Sequence, residues 1–417
     1  MRGLRRRGTL IVGLAASLLA AVRRSRAAPG RVLHELALPA DTPMAQVQAG
    51  GPTGLLGLAR DGGLWALSLP GAAPRRLASG LDPATPVAAD HGRIAARTAD
   101  GALWVLEGTQ GPGQVAQAPG LAPHAGLLVL PLAVLGVAAD GHQLLRFERT
   151  AAGAWQVVAR SAEPVLPDAR PLQADLDGRG DGGHVVVLAG PDAQRYRHGV
   201  LGDATEATRL LWLERHDLQV LRALELPPPH VFEDIAPRPV ARAGAAGVSL
   251  LTVRLGPDGG QLALVGADPA RATALRLEAL GEPVGGFHRW LAPSTDGHHW
   301  AAVHTPHIGG VLHVYQSEGT APRRRRLRAD VSTHAIGSRE TDLAVWLAGR
   351  LLLPSQDGRW LHVLDPARDW AEDAGLALPA RLVQATAVAE ALAWFGLLAD
   401  GRVVWVALDA APGAARR

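Results

Sequence analysis

The chain has 417 residues, 47% of them hydrophobic and 19% charged, which excludes wholesale disorder and supplies apolar mass for a large core. It holds no Cys, which excludes disulfides, thiol catalysis and cysteine metal sites together. Residues 1–27 carry seven Arg and no acid, so removing seven positive charges from the net +3 leaves −4, and the basic balance of the whole chain argues for no nucleic-acid partner.

The first element is a leader. Arg2, Arg5, Arg6 and Arg7 precede an uncharged apolar run over residues 9–22, and Ser25-Arg26-Ala27 places small residues where a signal peptidase reads. That run is shorter than the ~20 apolar residues that span a bilayer. The sequence therefore predicts a cleaved signal peptide over 1–27, a periplasmic or secreted protein, and no transmembrane span in the mature chain. The Arg23-Arg24 flank keeps an uncleaved anchor as the alternative, and the choice between Sec and twin-arginine export stays open. The chain has no Lys and no Asn but abundant Ala, Arg and Gly, the coding bias of a GC-rich, bacterial genome.

Beyond the leader one pattern recurs: apolar run, tight turn, apolar run. Residues 55–59 and 64–67 flank Asp61-Gly62-Gly63, residues 94–99 and 103–106 flank Asp100-Gly101, and residues 133–139 and 143–147 flank Asp140-Gly141. Further copies surround Asp258-Gly259 (249–255, 261–265), Asp357-Gly358 (343–353, 360–364) and Asp400-Gly401 (392–399, 403–408). Asp-Gly between β-rich runs is a strong hairpin signal. Turns at 61, 100 and 140 are spaced for four short strands, with no room for helical crossovers. Two more units, with strands 184–189 and 209–214, then 300–305 and 311–316, have longer central loops.

Eight hairpins predict an all-β fold: a single β-propeller domain over 28–417 with eight four-stranded blades, or seven if one hairpin is decorative. In unit one, strands A to D are predicted at 45–49, 55–59, 64–69 and 75–78. Unit eight has strands at 383–388, 392–399 and 403–408, and then the chain ends. Residues 31–39, RVLHELALP, resemble the fourth strand of unit four, LRALELP at 221–227, and are predicted to complete the last blade.

Strands of a blade run outward from the axis, so B–C loops and D–A connections emerge on one face. The B–C loop of unit four, predicted at 190–208, carries Arg195, Tyr196, Arg197, His198, Asp203 and Glu206, and that of unit six carries His307. The D–A connections of the same half carry His230, Glu233, Asp234 and Arg238, then His288, Arg289 and Trp290, then His334, Arg339 and Glu340. Long polar loops on a rigid scaffold are where binding sites sit. The primary reading is a monomeric, non-enzymatic propeller binding a protein or small-molecule ligand through this face. The alternative is a periplasmic hydrolase or lyase using the same His, Arg and carboxylate groups, which requires them to converge in a pocket with shifted pKa values. No Gly-x-Ser-x-Gly elbow or phosphate loop is present. His298, His299, His304, His307 and His313 lack zinc-ligand spacing. The strand tryptophans read as inter-blade packing, whereas Trp290, next to His288 and Arg289 in a connection, reads as a ring able to stack on a ligand.

Residues 174–188, ADLDGRGDGGHVVVL, resemble the FG-GAP or VCBS repeat of integrin-alpha-like propellers. That family places an acidic calcium loop between the first two strands of a blade. The resemblance implies Ca²⁺ near Asp175, Asp177 and Asp181, with Gly178 and Gly180 permitting the curl. Arg179 and Gly183 stand where acids are usual, so the repeat is degenerate. The residues themselves favour a former metal loop held by Arg179 pairing with Asp175 or Asp177.

Overall fold

The units combine a largely apolar second strand with a mixed fourth one, and this contrast sets the architecture. Leu55–Ala59, Ala133–Val137, Arg350–Pro354 and Ala393–Leu398 are buried at every position, whereas Arg75–Ala78 is exposed or half-buried. A strand that is apolar on both faces needs cover on both, which a sheet standing between two other sheets receives. The computed structural model describes residues 31–39, 42–50, 54–67, 73–108, 113–116, 120–241, 246–271, 273–318 and 321–409. It is an all-β propeller built of short antiparallel sheets, with two 3₁₀ turns and no α-helix among the described residues. The predicted leader over 1–27 lies outside the described residues.

Six sheets have four strands each. Unit one consists of Met44–Ala49, Leu55–Ala59, Leu64–Leu67 and Arg75–Ala78, close to the strands its sequence predicts. A seventh, nine-stranded sheet holds unit four (172–225) and unit five (238–280). Val231–Phe232 joins them, pairing with Glu206–Leu213 on one side and Val248–Leu255 on the other. Units six, seven and eight span 291–329, 345–377 and 382–407.

The Asp-Gly turns place only the glycine at positive φ. Gly62 has φ of 80° while Asp61 stays in the ordinary region, its carboxylate accepting the Gly63 N–H at 2.8 Å. Gly62 N–H donates to the Ala59 carbonyl at 3.0 Å, so the turn is of type I with glycine in its left-handed fourth position. A second departure is in unit seven. The predicted run 343–353 is two strands, Val345–Leu347 and Arg350–Pro354, reversed at Ala348 and Gly349 with φ of 51° and 70°. Positive φ at both residues is a type I′ turn, which Ala-Gly forms without the Asn or Asp that marks it in sequence.

The ring closes as the sequence predicts. His34 and Glu35 pair antiparallel with Trp405 and Val404, and Leu36 N–H donates to the Val403 carbonyl at 2.8 Å. His34 stacks on Trp405 with ring centroids 4.8 Å apart. Leu36, Phe395 and Val403 share one buried cluster with Met44, Leu55 and Leu67, so unit eight packs directly on unit one. Leu36→Ala should therefore lower unfolding stability in urea by about 2–4 kcal/mol. A loss below about 0.5 kcal/mol, the scatter of surface substitutions, would mean the ring is held without this strand.

Candidate functional site

The long loop of unit four is shorter than predicted, because His184–Asp192 and Glu206–Leu213 pair along its base, with Asp192 opposite Glu206. Glu206 consequently sits on a strand. The remaining loop folds inward on its apolar residues. Tyr196 packs with Val231 and Leu255, and Val200 and Leu201 pack with Ile235, Val240 and Trp290. Arg195 straps it down, donating to the carbonyls of Leu226 and His230 at 2.7 and 3.3 Å. Gly337 N–H, from the connection between units six and seven, donates to the Val200 carbonyl at 2.8 Å.

Two glutamates lie beneath this strap. Glu206 is 2% exposed and Glu233 is 0% exposed. Burial pushes both carboxyls well above the usual glutamate range, and neighbouring acids push the same way: Asp234 on Glu233, and Glu233, Asp203 and Asp168 on Glu206. Neither carboxyl oxygen of Glu233 has a hydrogen-bond partner among the described residues. His198 Nδ1 lies 2.6 Å from Glu233 Oε1 without hydrogen-bond alignment, and burial pushes its imidazole down. The acid is pushed up and the base pushed down, so burial disfavours the charged form of each. The adjacent Asp234 is different. It pairs with Arg238 at 3.0 Å, accepts the Thr252 hydroxyl at 3.0 Å and caps the Ile235 N–H, so it fixes the connection into unit five.

A second group lies beside the first. His288 stacks on His198 at 4.8 Å, and its backbone N–H donates to Tyr196 Oη at 2.9 Å. Trp290 is 3% exposed; its indole N–H donates to the Glu233 carbonyl at 3.0 Å and its ring lies parallel to that of His307. It is a buried post between the two groups, and packing occupies the ring that the sequence left free for a ligand. His334 Nε2 lies 2.9 Å from the Ser338 carbonyl, and its Nδ1 lies 2.7 Å from His307 Nε2. A carbonyl only accepts, so neutral His334 carries its proton on Nε2 and accepts from His307 Nε2–H. His307 Nδ1 is then left as a lone-pair acceptor. Burial pushes both imidazoles down to about 4, which keeps them neutral. Both line a cavity of about 380 Å³ with Ile336, Leu343, Leu382, Val383 and Arg381.

The axis of the ring is a larger polar cavity of about 1090 Å³, lined by innermost-strand residues that include Gln46, Gln48, Arg238, Ser294, Gln384 and Thr386. Glu340 and Arg339 reach it from the connection into unit seven. Arg339 donates to Asp168 at 2.8 Å and Asp203 at 2.7 Å, tying that connection to the unit-four side of the ring. Asp168 and Arg170 belong to the same face but were missed in the sequence. They lie in the D–A connection before unit four, where the face rule applies although no histidine draws attention.

Other predicted residues stand apart. His230 packs over Gly256 near Arg254, and Arg289 is exposed beside a recess lined by His304, His313 and Arg324. His304 meets Tyr315 Oη at 2.6 Å and stacks on His313 at 3.9 Å, whereas His299 meets Asp296 at 2.9 Å and His307 meets His334 at 2.7 Å, so the five histidines do not gather at one point. In the 174–188 loop, the Asp175 carboxylate accepts the N–H groups of Gly178, Arg179 and Gly180, and Arg179 pairs with Asp177 at 3.0 Å. Asp181 accepts the Gly183 N–H. No group of three or more His, Asp or Glu among the described residues is arranged to hold a metal ion.

No family model matches the chain, and no curated protein matches it. Among solved structures it is similar to BamB from Moraxella catarrhalis, with 14% identity, 91% of this chain and 99% of that one covered, and a TM-score of 0.55. Sqt1 of Saccharomyces cerevisiae aligns at 10% identity over 92% and 100% of the two chains, with a TM-score of 0.56. The computationally designed Ika8 protein aligns at 13% identity over 91% and 100%, also at 0.56. These likenesses show the propeller fold. No helix among the described residues is long and apolar enough to cross a membrane.

The buried acid sets a pH dependence. A carboxyl raised in the folded state contributes stability that is complete in acid and lost as pH rises through the raised value. Glu233→Gln keeps the shape and removes the titration. The variant should gain on the order of 1 kcal/mol relative to wild type at pH 8, with a smaller difference at pH 5. Identical pH slopes in the two proteins, measured by urea unfolding, would place an ordinary carboxylate at this position.

Proposed function

We propose that this chain is an exported, non-enzymatic, eight-bladed propeller that binds a protein partner through the face carrying the 193–205 loop and the connections of units four to seven. One observation carries the reading: this face seals Glu206 and Glu233 and displays apolar side chains. Phe287, Ile308 and Ile336 are 60%, 62% and 73% exposed, on the loops before unit six, within unit six and before unit seven. Large apolar groups on adjoining loops of a rigid scaffold favour association with another protein. Export rests on the leader at 1–27, with 28–417 as one domain that is monomeric until its partner docks. The kinship with FG-GAP or VCBS repeats rests on the 174–188 loop alone. That loop is already closed by backbone N–H groups and Arg179, and on this reading it needs no Ca²⁺.

The hydrolase or lyase reading draws on the raised Glu206 and Glu233 carboxyls beside His198. None of these three lines any cavity described above. A substrate would reach them only if the strap lifted, so the binding reading takes precedence.

A photo-crosslinking side chain at Ile308 or Ile336, introduced in native cells, should yield one protein adduct of the same size. The same group at Leu132, 73% exposed and on the opposite face, should yield none. Adducts at all three positions, or at Leu132 alone, would refute the assignment of the face. Calcium titrated into the purified protein should release no heat of stoichiometric binding, and a tight site would return a cation to Asp175 and Asp177.

A further inference from the structure

We infer that the cavity of about 380 Å³ between units six, seven and eight takes the C-terminal residue of a partner chain, an apolar side chain followed by a free carboxylate. The inference rests on the partner-binding reading above and names the chemistry recognised. Three features of the lining act together. Leu343, Leu382 and Val383 give it apolar surface, and Ile336, largely exposed, forms part of its edge. Arg381 supplies a guanidinium, and no Asp or Glu lines the cavity. The arginine stem is held against Gly358, where an added Cβ would meet its Cγ at 2.8 Å. No ion pair or hydrogen bond of that guanidinium occurs among the described residues, so its charge is available. His307 lines the same space, and its bond to His334 leaves Nδ1 as an acceptor.

A ligand that matches all three presents an apolar group, an anion and a hydrogen-bond donor within a few atoms of one another. The last residue of a peptide does so: side chain, α-carboxylate and backbone N–H share one Cα. Capture of a terminal carboxylate is a recurring mode of peptide recognition, and an arginine–carboxylate contact adds a charge-assisted bond. The volume lies at the small end of the range for ligand pockets, which suits one residue better than a folded element. A fatty acid carries the anion and the apolar group but lacks the N–H that His307 Nδ1 would accept.

The test is fluorescence anisotropy with a fluorescein-labelled hexapeptide, GSGSAL, as free acid and as C-terminal amide, against the full mature chain. The free acid should bind about tenfold or more tightly than the amide. Arg381→Ala should lower its affinity by a similar factor, and amidation should then have little further effect. Arg381 is exposed, so this variant should keep the wild-type melting temperature. Equal binding of acid and amide, no binding of either, or displacement of the peptide by equimolar decanoate would overturn the inference. Adducts at Ile308 and Ile336 without peptide binding would sink this pocket alone and leave the partner-binding face standing. Peptide binding that depends on Arg381 without adducts would separate the two in the other direction.

Discussion

The pairing of His34–Glu35 with Val404 and Trp405 is the constraint on which the other relations depend. Unit eight has three strands of its own, ending at Val403–Ala407, so without the N-terminal strand its sheet would end on an unpaired edge. The wider consequence concerns packing. Strands such as Leu55–Ala59 and Ala393–Leu398 are buried on both faces, which requires every unit to have a neighbour on each side. A ring satisfies that for all units at once, whereas an open stack leaves two ends bare. With no cysteine to cross-link the ends, the closure relies on backbone hydrogen bonds and on the cluster that Leu36 shares with Phe395 and Met44.

Closure also fixes which loops share a face, and from that the polar chemistry is gathered. Glu233 from one connection, Glu206 from a strand end and His198 from a loop are distant in sequence but meet under the strap. An unsatisfied buried carboxyl opposes folding by about 1–3 kcal/mol or more. Burial of Tyr196, Val200 and Leu201 offsets it, at about 1.5–3 kcal/mol for each aliphatic side chain. The bridging strand Val231–Phe232 adds backbone bonds to both flanking units, which explains why two blades form one continuous sheet there.

The sequence made the repeat legible because Asp-Gly turns punctuate apolar runs, and it made the closure legible because 31–39 resembles a fourth strand. It hid features that leave no such mark. Ala348-Gly349 turns the chain as Asn-Gly would, but alanine carries no turn signal. Trp290 looks free beside His288 and Arg289, since neither neighbour reveals that Glu233 supplies a carbonyl for its indole N–H. Phe287, Ile308 and Ile336 were invisible as a set, because single apolar residues in separate loops have no periodicity to report.

Trp290 couples the two halves of the candidate face. On one side it holds the Glu233 backbone, and on the other it lies against His307 and His334. The pKa shifts on its two sides have opposite consequences: the carboxyls lose stabilisation as pH rises, while the histidines, neutral when folded, lose it as pH falls toward about 4. Burial thus disfavours charge on both sides of the indole. On the proposed reading, attraction of a partner to this side falls to the exposed apolar residues and to Arg381. That division of labour is the physical reason to place recognition at the cavity beside His307 and scaffolding at the glutamates behind Trp290.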